Sequence, residues 1–126
     1  MEQGNRTAVI SGRIISTLVI LFMTVDGVGH VMKLAPYVKG TVDVGYPASI
    51  LVPLGIVELL CAILYAVPRT TVLGAILLVA YFGGATATHV RIGQPFYFPI
   101  VFGVLTWLAL YLRDSRLRTF IPLTNS

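Results

Sequence analysis

A few ionisable side chains stand inside stretches that are otherwise apolar. Asp26 and His30 lie four residues apart in Asp26-Gly27-Val28-Gly29-His30. Glu58 sits in Leu54-Gly55-Ile56-Val57-Glu58-Leu59-Leu60-Cys61, and His89 and Arg91 close Thr88-His89-Val90-Arg91. An ionised group at the centre of a lipid-embedded helix costs about 2.5–3.5 kcal/mol on insertion scales, so each asks for a partner or a function. The four-residue spacing puts Asp26 and His30 on one helix face within mutual reach. Three chemistries suit these residue types. Asp26 with His30, and Glu58 with Arg91, His89 or Tyr81, can pair as internal glue. The same groups can line a small-molecule site, the histidines donating or accepting protons and Tyr81 or Tyr97 lying beside an aromatic ligand. His30, His89, Asp26 and Glu58 also form a ligand set suited to zinc or iron, without a tight motif to fix its geometry.

Nucleophilic catalysis has less to stand on. Ser16 and Ser49 have no assignable His/Asp partner, and Cys61 lies on the far side of Glu58 from both histidines, so no catalytic residue is assigned. Acid-base or proton-coupled chemistry by the two carboxylates and two histidines stays open. No nucleotide fingerprint or phosphate loop is present.

The elements that must position these groups follow from composition. Of 126 residues, 56% are hydrophobic and 11% charged, too few polar groups to cover a soluble domain of this size. The net charge of +4 is spread singly or in a short C-terminal group rather than on one patterned face, which excludes nucleic acid as the partner. The lone Cys61 excludes an internal disulfide and reads as a small buried hydrophobe. Crossing about 30 Å of hydrocarbon takes about 20 helical residues. Four stretches approach that length, 14–32, 47–67, 71–90 and 96–112, predicting one all-α domain, a four-span up-down bundle over 1–126. The first run contains Asp26 and lacks a small-residue cleavage site, so it reads as an uncleaved span rather than a signal peptide. The gap 33–46, with Pro36, Gly40 and Gly45, is expected to be a loop. Pro68-Arg69-Thr70 makes a tight hairpin, with Thr70 placed to cap the helix that follows, and 91–95 makes a second short turn. Glycines 27, 29, 55, 74, 83, 84 and 103 read as close-packing positions.

Arg6, Arg13, Arg69, Arg113, Arg116 and Arg118 fall at one end of this bundle, and Lys33, Lys39 and Arg91 at the other. The excess places both termini in the cytoplasm. Tyr37, Tyr46, Phe96, Tyr97 and Phe98 read as outer interfacial anchors, and Tyr65, Trp107 and Tyr111 as inner ones. At 1.5 Å per residue, Asp26 and His30 lie about 9 and 3 Å below the outer end of their span and Glu58 about 16 Å below the outer end of its own. The series Gly74, Leu78, Tyr81, Ala85, His89 presents small residues below and polar tips above on one helix face. Asp26, His30, Glu58, Tyr81, His89, Arg91 and Tyr97 are therefore expected to border one outward-opening pocket, while the inner half is apolar packing.

These segments, together with Tyr65-Ala66-Val67-Pro68-Arg69-Thr70, Tyr81-Phe82-Gly83-Gly84-Ala85 and Trp107-Leu108-Ala109-Leu110-Tyr111-Leu112-Arg113-Asp114, resemble the DoxX-like family over about residues 14–118. The resemblance implies a four-helix inner-membrane protein in a family whose better-known relatives are linked to quinone-dependent sulfur oxidation and to membrane redox complexes with partner subunits. It thus implies a redox-associated subunit, with a quinone or another small lipophilic ligand in the pocket and a redox subunit or a second copy as partner in the bilayer. The alternative is a non-enzymatic scaffold or assembly subunit whose polar cluster is structural. No haem, flavin or iron-sulfur motif accompanies it.

Overall fold

The computed structural model describes residues 2–119, with side chains described over 6–117. Among the described residues the regular elements are all helical: α1 (Glu2–Val31), a short α2 (Ala35–Asp43), α3 (Leu51–Ala66), α4 (Thr71–Arg91) and α5 (Tyr97–Arg113). Three-residue 3-10 turns precede α3 (Ala48–Ile50) and α4 (Pro68–Thr70), and a longer one follows α5 (Ser115–Thr119). The apolar helical stretches Arg6–Val31, Ala48–Ala66 and Pro68–Arg91, of 26, 19 and 24 residues, are long enough to cross a membrane. α5 is equally apolar in character and shorter, at 17 residues. The charge-pattern residue Arg118 and the terminal residues 1 and 120–126 have side chains outside the described set.

The long helices form a ring: α1 packs on α3 and α5, and α4 packs on α3 and α5. Every neighbouring pair runs antiparallel. Ser16 meets Tyr65 while Gly27 meets Gly55; Gly12 meets Ala109 while Phe22 meets Phe98. The centre holds Val19, Met23, Ala62, Tyr65, Ala75, Leu78 and Leu110, all nearly or fully buried. The outside is as apolar as the inside, with Leu18 and Val104 each 60% exposed. A water-facing surface does not carry such a continuous apolar coat, and lipid contact explains it.

Glycine marks the tightest crossings. A Cβ on Gly55 would stand 2.7 Å from the carbonyl oxygen of Gly27, and one on Gly74 would collide with the backbone of Tyr65. Without Cβ atoms these backbones approach and gain dispersion contacts that lipid tails would otherwise supply. Gly83 and Gly84 differ from expectation, since nothing lies within 4 Å of their missing side chains.

The segment expected as a loop is largely α2. Pro36 stands in its first turn, where its missing N–H removes no helix bond, and Gly40 is accommodated on an exposed face. Helices α1, α2 and α4 end alike. The N–H of Leu34, Tyr46 and Gln94 reaches back to the carbonyl of Gly29, Thr41 and His89, with Lys33, Gly45 and Gly93 at positive φ between them. Gly45 and Gly93 announce this stop in the sequence; Lys33 at φ 52° does not.

The α3–α4 hairpin is as tight as Pro68 demands. Val67 is extended before the proline. Thr70 does not cap α4 as expected: its hydroxyl donates to the Leu64 carbonyl at 2.7 Å, and Thr71 donates to Val67 at 2.8 Å, so both threonines close the carbonyl end of α3. α5 ends on Asp114, whose carboxylate accepts from Arg116 at 2.9–3.1 Å and is held below the usual carboxylate range by that bond.

Candidate functional site

Glu58 is the centre from which the site is built. It occupies the third turn of α3 and is fully buried. Its Oε1 accepts from the Tyr81 hydroxyl on α4 at 2.6 Å and lies 3.0 Å from His30 Nδ1 on α1. The same nitrogen lies 2.8 Å from the Asp26 carbonyl and 3.4 Å from Asp26 Oδ2. Three helices are thereby joined through one carboxylate oxygen. Glu58 Oε2, also buried, has no hydrogen-bond partner among the described residues.

The carboxylates of Glu58 and Asp26 come together at one level of the bundle. Seven residues into α3, Glu58 stands about 10 Å from its start at Leu51, and the 3-10 turn Ala48–Ile50 continues the span beyond that start. Asp26, five residues from the end of α1, stands about 8 Å down and meets it.

Asp26, His30 and Tyr81 also form part of the wall of a cavity of about 530 Å³ at the α2 end of the bundle, which Glu58 supports from behind. His89 lines the same cavity, its Nδ1 2.7 Å from the Ala85 carbonyl one turn earlier. Gly74 and Leu78 are buried beneath, while Tyr81, Ala85 and His89 reach the cavity, so the α4 face runs from packing seam to polar wall. The flat walls come from Phe22, Phe82 and Phe98, with Phe22 and Phe98 at a centroid distance of 5.3 Å.

Two sequence candidates lie elsewhere. Arg91 points away from the carboxylates and donates to the Val44 carbonyl at 2.7 Å, fastening the connection after α2. Tyr97 is 68% exposed and stacks on Phe96, turned from the cavity by its position on the outer face of α5. The metal-type donors divide likewise: one ligand atom each from Asp26, His30 and Glu58 lie within 4.8 Å of one another, without His89. The hydrogen bond from His30 Nδ1 to a carbonyl commits that nitrogen to carrying a proton, so Nε2 is the atom of this ring that could ligate a metal.

Sequence reasoning missed the lid. α2 brings Tyr37, Thr41 and the following Tyr46 onto the cavity, and the Tyr37 ring meets His30 edge-on at 5.0 Å while packing over Gly29. Tyr46 lies 3.4 Å from the Thr88 hydroxyl, tying the lid to α4. These tyrosines were legible only as interfacial aromatics. It also missed a polar knot at the opposite end, where fully buried Tyr65, read as an interfacial anchor, donates to the Thr106 carbonyl at 2.9 Å and lies 3.2 Å from the Ser16 hydroxyl. That half is therefore not apolar packing alone.

A larger open groove of about 860 Å³ between α4 and α5 carries no carboxylate or histidine. Its walls, Ile76, Val79, Ile100, Val104 and Leu108 among them, are the surface that lipid tails contact. The carboxylate and the two histidines line the cavity at the α2 end instead.

Comparison with curated proteins and with solved structures returns no match. The model of the DoxX-like family matches residues 14–109, a stretch that contains the cavity wall on α1 and α4, the Glu58 behind it and most of α5. By that match, the chain belongs to the DoxX-like family.

Proposed function

We propose that this membrane protein binds a small lipophilic ligand of quinone-like size in the cavity at the α2 end, as a redox-associated subunit of the inner membrane. The observation that carries the reading is the cavity itself: about 530 Å³, aromatic-walled, with two histidines and a carboxylate among its lining residues. Such volume and lining are those of small-molecule sites. A quinone supplies reversible two-electron chemistry when bound. The chain's own contribution is to hold a flat ring between Phe22, Phe82 and Phe98 and to present Asp26, His30 and His89 to its polar head. The test is calorimetric titration of the detergent-purified protein with a short-chain quinone and its hydroquinone. Saturable binding is expected, and Gly84→Phe, which fills the cavity from a position with free space around it, should abolish it. Binding unaffected by Gly84→Phe would remove the cavity from consideration.

In this reading α5 also spans, tilted little because its 17 residues just suffice, and the whole chain is one four-span domain. Both termini face the cytoplasm, which puts the α2 end outside, supported by the excess of arginine at the opposite end. Single cysteines at Ser115 and at Lys39, introduced into a Cys61→Ala background, test this with an impermeant thiol reagent on intact cells. Lys39→Cys should label and Ser115→Cys should not; the reverse pattern inverts the topology.

A second reading, a scaffold or assembly subunit with a partner subunit or a second copy, is favoured by one observation. Glu58, a fully buried carboxylate, stands behind the wall and, among the described residues, meets side chains of the bundle's own helices. In that reading the network is glue, and stability rather than binding registers its loss.

A further inference from the structure

Part of the cavity wall belongs to the lipid-facing side of α4. Ala80 lines the cavity and is exposed, and it shares a helix face with Leu77, Ile76 and Leu73, three, four and seven residues earlier and likewise exposed. Gly84, one turn further on, is a second exposed lining residue, with nothing within 4 Å of its missing side chain. From α3 and the turn before it, half-buried Leu54 and Ile50 complete this side of the cavity. The α3–α4 seam is closed at both ends. Toward the hairpin, Gly74 lies against the backbone of Tyr65, and toward α2, Tyr46 stands 3.4 Å from the Thr88 hydroxyl. Between these closures Tyr81 turns inward to Glu58, and at Ala80 and Gly84 the helix carries a methyl group and a hydrogen. Gly84 is seven residues, about 10 Å, from the end of α4 at Arg91, so this gap opens at the level of acyl chains. On the water side, α2 crosses the cavity, held by the Tyr46–Thr88 contact and by Arg91 on the Val44 carbonyl.

We infer that the cavity opens sideways into the bilayer between α3 and α4, and that its ligand is a tailed amphiphile whose ring sits in the cavity while its apolar tail leaves past Ala80 and Gly84. The inference rests on the reading of the cavity as a ligand site and adds the class of ligand and its route. A tail that leaves at this level has apolar surroundings both free and bound, so binding neither confines it in the cavity nor exposes it to water. The ring reaches the aromatic walls from the membrane without displacing α2. A water-borne ligand would instead have to pass beneath α2, breaking the contacts that hold it to α4. The small residues at Ala80 and Gly84 thus have a use that helix packing does not supply, since no neighbouring helix closes on Gly84.

The experiment uses the detergent-purified full-length protein and two probes with one ring: a decyl-tailed quinone carrying a diazirine on the tail near the ring, and the same quinone with a methyl group in place of the tail. After irradiation, adducts of the tailed probe should map to Ile50–Leu54 and Ala80–Gly84, and the tailless probe should compete them away. Adducts on the α2 segment 37–46, or at Phe98 on α5, would overturn the exit between α3 and α4 while leaving the cavity as a binding site. In Ala80→Trp, which puts a large ring in the gap, the tailed probe should lose at least about tenfold more affinity than the tailless one, the scale of one overpacked contact. Leu73→Trp, two turns away on the same lipid-facing side, should change neither. Equal losses for the two probes in Ala80→Trp would overturn the inference. Loss of labelling on adding phosphatidylethanolamine at the same mole fraction would overturn the ring-headed ligand in favour of a membrane phospholipid. Absence of saturable binding for both probes would overturn this inference and the reading of the cavity together.

Discussion

Gly74→Ala is expected to destabilise the bundle by about 2–3 kcal/mol, and Gly83→Ala, one helix and one substitution type shared, to leave it unchanged or improve it by up to about 1 kcal/mol. The two positions differ in what a methyl group would meet. At Gly74 it falls on the backbone of Tyr65, which no rotamer change can move, whereas at Gly83 it enters open space. α3 and α4 are joined only through Pro68–Thr70, so the crossing cannot be relieved by sliding the helices within a long loop. They must separate, and Tyr65 moves with them. Its hydroxyl then leaves the Thr106 carbonyl on α5 and the Ser16 hydroxyl on α1, so a clash between two helices loosens all four. Thermal unfolding in detergent, followed by helical circular dichroism, measures the difference between the pair. A Gly74→Ala protein as stable as the wild type would show that the α3–α4 crossing is not the tight one.

This contrast also shows how far the sequence could be read. Seven glycines within apolar runs look alike in one dimension, and only the rotation of each helix separates Gly74 from Gly83. Rotation is poorly encoded where lipid and core are both apolar, for then hydrophobic periodicity fades. The exposed Leu18 and the buried Val19 differ little in polarity, and nothing in the sequence turns Tyr97 outward and Tyr65 inward. What the sequence does encode strongly is punctuation. Pro68 and Gly93 mark ends that the structure reproduces, whereas α1 runs on through Gly4 and Gly12 and so begins well before the apolar run. The α2 lid was hidden because Pro36 reads as a breaker and is in fact a first-turn residue. Within the candidate site, the Asp26–His30 spacing was informative because it depends on the helix alone. Tyr81 was among the partners expected for Glu58, whereas its approach to His30 depends on the rotation of α3 against α1, and the direction of Arg91 on a lid that had not been foreseen.

The second large effect is expected at Glu58. In Glu58→Ala, Tyr81 loses the carboxylate oxygen that accepts its hydroxyl proton, His30 loses its neighbour at 3.0 Å, and a void replaces the fully buried side chain. The expected loss is about 2–4 kcal/mol, combining an unpaired hydroxyl with the cavity left behind. Glu58→Gln keeps the volume and an amide oxygen that can take the place of Oε1, so a loss below about 1 kcal/mol is expected if the amide oxygen faces Tyr81. The cycle of Glu58→Gln with Tyr81→Phe isolates the bond between them, and intramembrane couplings of this kind run to about 0.6–1.7 kcal/mol. Stability and binding together then separate the two readings of the protein. Glue predicts that Glu58→Ala unfolds more easily in detergent and that ligand binding declines only as folded protein is lost. A ligand site predicts that Glu58→Gln, still folded, weakens hydroquinone binding, because His30 and Tyr81 owe their orientation on the wall to the carboxylate behind them. If Glu58→Ala leaves both thermal stability and binding unchanged, neither role belongs to Glu58, and the joining of α1, α3 and α4 through its Oε1 has no energetic weight.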